Sequence, residues 1–259
     1  MELFETHAHL DVLEDLETEL EQARAAGIHE FMLPAVSPFN WQACIEIARA
    51  HTGIYFGLGI HPQCVRELTD AEASDALKSL PDLIRSSGAR AIGELGLDWR
   101  WDSDPDARAR QERIFLEQLD IAAETGLPPI IHCLDAHGRF LELWKSHPCR
   151  KNTPGIMHSY SGSAEMVAEY VRENLYISYS GAVTWTHAKR VPKACKATPL
   201  DRLLIETDAP YQPPHPLEEG PNRLPRLTRV VEVVAELLGL SNAEVAQITT
   251  QNARTVFGL

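Results

Sequence analysis

Eight short apolar or β-branched runs, each followed by a longer stretch with helical periodicity, predict an α/β fold, a single-domain (β/α)8 TIM barrel over residues 1–259. Parallel strands need crossover connections, and helices are the usual ones. Eight such units in 259 residues match the size of a closed barrel. A doubly wound open sheet of this length more often carries a glycine-rich phosphate turn after its first strand, and neither GxGxxG nor GxxxxGK[ST] occurs.

In chain order the strands fall near 2–6, 30–35, 54–59, 90–94, 128–132, 154–158, 175–179 and 202–206. Helices fall between them near 14–26, 39–51, 70–87, 106–125, 137–147, 163–173, 187–197 and 223–238, with a last one near 242–252. The proline-rich stretch 210–225 reads as a long loop after the eighth strand and a candidate rim of the active site.

Composition narrows the function classes. With 44% hydrophobic and 24% charged residues the chain is of ordinary globular type. No stretch approaches the roughly 20 consecutive apolar residues of a membrane helix, and the N-terminus lacks a signal-peptide pattern, so a cytoplasmic address is expected. Five scattered cysteines without a CxxC pair argue against a disulfide framework or a structural zinc knuckle. Any metal must therefore be held by histidines and carboxylates. A net charge of −13 argues against a long non-specific grip on duplex nucleic acid. A small or locally engaged substrate is compatible with it.

The metal-capable side chains gather at the C-terminal ends of the predicted strands. His7 and His9 end the first, Glu94 the fourth, His132 the fifth and His158 the sixth, while Asp208 follows the eighth. In a barrel those ends share one mouth, where catalytic residues of this architecture lie. Glu94 is expected to point inward with Ile92, two positions earlier, and a carboxylate there is costly unless paired or metal-bound. Each residue also has a plainer explanation. Paired histidines occur as surface or packing residues, lone ones as satisfied core groups, and an aspartate before Pro210 as a turn cap.

Together with Gly59-Ile-His-Pro62 and Asn252-Ala253, the segments Thr6-His-Ala-His-Leu10, Gly93-Glu-Leu-Gly-Leu-Asp98, Leu127-Pro-Pro-Ile-Ile-His132, His158-Ser-Tyr-Ser-Gly-Ser163 and Glu206-Thr-Asp-Ala-Pro-Tyr211 carry a resemblance. In this order, from end to end, the chain resembles the TatD family of metal-dependent deoxyribonucleases, within the amidohydrolase superfamily. The resemblance implies two divalent ions (Zn2+, Mg2+ or Mn2+), with His7, His9 and Asp208 on one, His132 and His158 on the other, and Glu94 bridging. It implies Asp208 as general base and DNA, as ends or single strands, as substrate. His61 is then a candidate contact to the scissile phosphate. Two positions depart from the family pattern: Glu5 stands where an aspartate is usual, and Leu134 replaces an arginine. The first keeps a carboxylate able to orient a ligand. The second removes a cationic substrate contact.

The rim candidates are Trp99-Arg100-Trp101, Tyr160, Trp185, His187 and Tyr211, since aromatics with arginine can stack unpaired bases and touch phosphate. Arg100, Tyr160 and Trp185 are taken as substrate-binding, with packing of the loops the equal alternative for each rim residue; Asn222 and Arg223 are added as weaker substrate-binding candidates. Arg226 is a weaker candidate, and Lys189 and Arg190 read as a solvated helix face. Two other functions stay open: hydrolysis of a small amide, ester, lactone or phosphotriester on the same ligands, and a non-catalytic metal-dependent scaffold.

Overall fold

A computed structural model describes residues 2–100, 102–216 and 220–259. The first half runs β1 (Leu3–Glu5), α1 (Leu16–Ala25), β2 (Ile28–Pro34), α2 (Trp41–Ala50), β3 (Ile54–Leu58), α3 (Pro62–Val65), α4 (Asp70–Ser87), β4 (Ala91–Asp98) and α5 (Pro105–Thr125). The second runs β5 (Pro129–Leu134), α6 (His137–Ser146), α7 (Cys149–Asn152), β6 (Gly155–Met157), α8 (Ala164–Arg172), β7 (Leu175–Tyr179), α9 (Arg190–Ala197), β8 (Leu203–Ile205), α10 (Leu227–Leu238) and α11 (Asn242–Phe257). All eight strands are parallel and pair in sequence order. Thr6 closes the ring, donating to the Ile205 carbonyl from its backbone nitrogen at 3.4 Å and from Oγ1 at 2.8 Å. The barrel read from the alternation of runs is the observed fold.

Burial on both faces explains the continuous apolar strands. Phe4, Met32, Ala91, Ile130, Ile156, Tyr176 and Leu204 fill the barrel interior, and α11 plugs its lower end with Ala253, Val256 and Phe257. The rings of Phe4 and Phe257 stack there at 5.7 Å. A larger apolar layer lies between strands and helices, with Leu20, Ile45, Leu80, Leu119 and Val230 from the helical side. Capping boxes start α4 at Thr69 with Glu72 and α11 at Ser241 with Glu244.

The largest difference from expectation lies in β4, which continues to Asp98 rather than ending at Glu94. Its pairing with β5 resumes at Leu95↔Ile131 and runs to Asp98↔Leu134, after a register shift between Ile92 and Leu95. Ile92 belongs to the layer beneath the helices, whereas Ala91 faces the interior. Strict alternation from Ile92 is therefore not what turns Glu94 inward; the shift does. Gly93 lies at φ 134, and a Cβ there would come within 2.7 Å of the Ile130 carbonyl oxygen, so only glycine fits. The one-turn helices α3 and α7 are additional to the expected set, and α10 starts at Leu227, after a 3-10 turn over Leu224–Arg226 that contains Pro225.

Candidate metal centre

Glu94 organises the mouth of the barrel. Its Oε2 lies 3.3 Å from His7 Nε2 and 3.7 Å from His9 Nε2. Its Oε1 lies 3.1 Å from His132 Nδ1, 3.0 Å from His158 Nε2 and 3.3 Å from His61 Nε2. One carboxylate thus divides the histidines into two sets, an oxygen to each. Asp208 joins the first, its Oδ1 3.7 Å from His7 Nε2 and 3.4 Å from His9 Nε2. The six residues whose metal role the sequence raised are all buried, and all meet here.

Hydrogen bonds behind the rings set which nitrogen faces inward. His132 meets Asp98 Oδ2 through Nε2 at 3.2 Å, leaving Nδ1 towards Glu94. His158 meets Glu206 Oε1 through Nδ1 at 3.2 Å, leaving Nε2 towards Glu94. A carboxylate behind each imidazole fixes its tautomer and raises its basicity. His61 is turned the other way round. Its Nδ1 accepts from the Gln63 backbone N–H at 3.1 Å, so in the neutral ring the proton sits on Nε2 and points at Glu94. Although His61, Glu94 and His132 are close enough to form a ligand group, this tautomer makes His61 a donor.

The electrostatics fit a centre built to hold cations. Burial works against the charge of Glu94, yet the surrounding histidines, His158 foremost, hold its pKa well below the usual carboxylate range. Asp208 is likewise depressed against its burial by the hydrogen bond from His9 and the charges of His158 and His7. Burial dominates at His61, pushed down to about 4, and also lowers His7. Neither ring nitrogen of His7 has a hydrogen-bond partner, although both are buried. Leaving such groups unsatisfied costs about 1–3 kcal/mol each, and a cation on Nε2 would remove one of these costs. His7, His9 and Asp208 present one atom each within 4.8 Å of one another, as do His7, Glu94 and His158. Imidazole nitrogens with carboxylate oxygens suit divalent ions from Mg2+ to Zn2+.

Glu5 acts on the backbone rather than on a ligand's ring. Its Oε1 accepts from the N–H of His7 at 3.1 Å and of Thr207 at 2.9 Å, tying the ends of β1 and β8. Burial raises its pKa to about 8.

A cavity of about 530 Å³ opens over the centre, lined among others by His9, His61, Arg100, Leu134, Tyr211 and Gln212. Arg100 is held at its edge by Asp98, with Nε to Oδ1 at 3.0 Å and Nη2 to Oδ2 at 2.6 Å. The other four substrate candidates are not among the residues that line it. Tyr160 is buried against Tyr170 and Tyr179, with its hydroxyl on the Ser163 carbonyl. Trp185 donates to the Pro213 carbonyl and packs on His187. Asn222 is buried, its amide holding the carbonyls of Thr207, Tyr211 and Gln212. Arg223 is bound to Glu19 and Gln22 of α1. Trp99 stacks under Arg108, and Trp101 lies outside the described residues. The sequence reading missed Asp98 and Glu206 as partners of the histidines, Gln212 beside Asp208, and the exposed ring of Phe39. Only the two carboxylates carry a signal in sequence, each lying close to a ligand in chain order.

Comparison with known proteins agrees with this geometry. The description of the "TatD related DNase" family matches residues 4–258. The chain is 35% identical over 258 residues to the "uncharacterized metal-dependent hydrolase YabD" of Bacillus subtilis, covering 98% of both chains. It is 34% identical over 248 residues to the "3'-5' ssDNA/RNA exonuclease TatD" of Klebsiella pneumoniae, covering 92% of this chain and 90% of that one. Among solved structures, the TatD homologue YjjV of Escherichia coli superposes with a TM-score of 0.91 at 30% identity, covering 99% and 98% of the two chains. With a full-length family match and the barrel mouth arranged as described, the chain belongs to the TatD family of metal-dependent hydrolases.

Proposed function

We propose that this chain hydrolyses phosphodiester bonds of DNA, trimming ends or single strands, with two divalent ions drawn from Zn2+, Mg2+ and Mn2+. The observation that carries the proposal is the division of Glu94, one oxygen towards His7 and His9 and the other towards His132 and His158. His7, His9 and Asp208 would hold one ion, His132 and His158 the second, and Glu94 would touch both. Divalent ions in such a pair polarise a phosphoryl oxygen and lower the pKa of bound water towards neutrality.

The chain's own residues do the rest. Asp208 takes the proton of the attacking water on Oδ2, the oxygen not turned towards the histidines. His61 donates from Nε2 to a phosphoryl oxygen, a role its tautomer and depressed pKa both allow. Arg100 supplies positive charge at the rim where Leu134 has replaced the family's arginine; Asp98 and Leu134 are paired across β4 and β5.

The rim favours unpaired bases. Val12, Phe39 and Tyr211 are three of five exposed large hydrophobic residues among those described, and they sit on the loops after β1, β2 and β8, neighbours around the mouth. Phe39 is 74% exposed on a loop pinned by Ser37 and Asn40, and Tyr211 meets His9 edge-on at 5.6 Å. Exposed rings on the loops around a cavity of about 530 Å³ offer stacking faces to a single strand. The relative named as an ssDNA/RNA exonuclease supports the same class. The five free thiols suit the expected cytoplasmic address.

The deciding experiment incubates the metal-loaded protein with end-labelled single-stranded and duplex DNA, alongside a panel of esters, lactones, amides and phosphotriesters. Metal-dependent shortening of the single strand that Asp208→Asn abolishes is the expected result. Hydrolysis confined to the small-molecule panel would replace the nuclease assignment, and binding without any hydrolysis would leave a scaffold.

A further inference from the structure

The loop after β8 turns back at Tyr211, whose N–H reaches the Asp208 carbonyl at 2.7 Å, so that Gln212 faces the carboxylate four residues earlier. Gln212 Nε2 donates to Asp208 Oδ2 at 2.7 Å and to Ser159 Oγ at 2.6 Å. Ser180 Oγ donates to Gln212 Oε1 at 2.9 Å, and the two serine hydroxyls lie 2.9 Å apart. A serine has one hydroxyl proton. Ser180 uses its own on Gln212, so Ser159 must donate to Ser180 while accepting from Gln212. The three side chains close a hydrogen-bonded ring, which leaves one amide proton over, and that proton lies on Asp208 Oδ2. Flipping the amide would set its oxygen against the carboxylate and break the ring. The loops after β6, β7 and β8 are joined through it.

Asp208 is therefore held at both ends, by Gln212 on Oδ2 and towards the two histidines on Oδ1. Rotation of the carboxylate would lose the amide bond. The contact spans two left-handed residues, Asp208 at φ 59 and Gln212 at φ 49, a conformation uncommon for non-glycine residues.

We propose that Gln212 is a positioning residue for Asp208, setting that carboxylate so that Oδ1 completes the His7–His9 group and Oδ2 is presented to the cavity. The proposal rests on the metal-centre assignment above, and its test separates the two. Apo protein carrying Gln212→Leu is titrated with Mn2+ by calorimetry, beside wild type and Asp208→Asn, and the loaded proteins are assayed on bis(p-nitrophenyl) phosphate. Partners behind metal ligands are typically worth about 10- to 100-fold in affinity or activity. Gln212→Leu is expected to weaken Mn2+ binding and lower kcat within that range, with KM held within about twofold and an unchanged number of ions bound. Unchanged Mn2+ affinity in Gln212→Leu, with clear weakening in Asp208→Asn, would overturn this inference alone. Unchanged affinity in Asp208→Asn would overturn the metal-centre assignment and this inference with it. Should Gln212→Leu fail to unfold cooperatively, Ser180→Ala serves instead, since it keeps Gln212 itself while removing both the donor to Gln212 Oε1 and the acceptor of the Ser159 hydroxyl. A loss of the same sign supports the proposal, and wild-type affinity and kcat in Ser180→Ala would overturn it.

Discussion

His132 Nε2 lies 3.2 Å from Asp98 Oδ2, across the β4–β5 pair, and this contact turns the opposite nitrogen of the ring towards Glu94. Arg100 grips the same carboxylate with two donors, and Asp98 is held well below the usual carboxylate range by His132 and Arg100 although it is buried. Asp98→Asn keeps an acceptor but removes the charge that polarises the imidazole. Divalent-metal affinity and kcat are expected to fall about 10- to 100-fold. The fold survives, because Gln111 binds the backbone of residue 98 on both its N–H and its carbonyl. Calorimetric metal titration and steady-state assays check this, and wild-type values for both would show that Asp98 does not act through His132.

Chelation should cost stability as well as activity. His7 contributes two buried nitrogens without hydrogen-bond partners, and Glu94, Asp208 and His9 converge on the same point. Each ion that binds only the folded chain at about 100 times its Kd adds about 2.7 kcal/mol, a shift of roughly 5–10 °C in Tm for a domain of this size. Scanning calorimetry with EDTA and with saturating Mn2+ measures the difference. His7→Ala is expected to show a smaller metal-induced shift than wild type, and coincident melting curves for wild type under the two conditions would count against metal binding in the folded state.

How much of this was legible in sequence depends on which force fixed each residue. His132 and His158 each lie two positions beyond an interior residue, Ile130 and Ile156, so strand period alone points them into the barrel. Glu94 breaks that rule, since β4 shifts register between Ile92 and Leu95, and its inward direction is set by pairing geometry around Gly93. The rim was less legible because an aromatic beside a strand end can pack either way. Tyr160 is drawn inward by Tyr170 and Tyr179, while Tyr211 stays 56% exposed. Asn222 and Gln212 depend on a loop conformation with positive φ at two non-glycine residues, which no local pattern announces.

Phe39 and Tyr211 give the nuclease assignment a salt signature. With 37 Asp and Glu against 24 Lys and Arg, the chain's net field repels a phosphate track, so affinity for a strand must come from the ions and from stacking. Stacking on an aromatic is worth about 1–3 kcal/mol per base, so Phe39→Ala should raise KM for a single-stranded oligonucleotide roughly 5- to 150-fold. Turnover of bis(p-nitrophenyl) phosphate, which has no base to stack, should be unchanged. The dependence of KM on salt should be shallow in both proteins. A steep salt slope, or equal KM in wild type and Phe39→Ala, would place the strand on a different surface.

His137 predicts the acid limb of stability. It sits at the start of α6, largely buried, with Nδ1 2.7 Å from the Tyr170 hydroxyl and its ring 5.7 Å from that of Tyr160. Burial, aided by the charge of Arg190 and opposed by Asp135, lowers its pKa from 6.5 to about 4. Between those values the unfolded chain binds a proton that the folded chain refuses, so stability falls as pH drops through the window. The contribution is fully present above pH 6.5 and amounts to at most about 3 kcal/mol lost by pH 4, with no further change below. His137→Gln keeps an acceptor for Tyr170 and does not titrate. Its Tm should therefore decline less steeply than that of wild type between pH 6.5 and 4, measured on chelated protein so that metal release adds no slope of its own. Equal slopes would mean that His137 gains its proton in the folded state as readily as in the unfolded one.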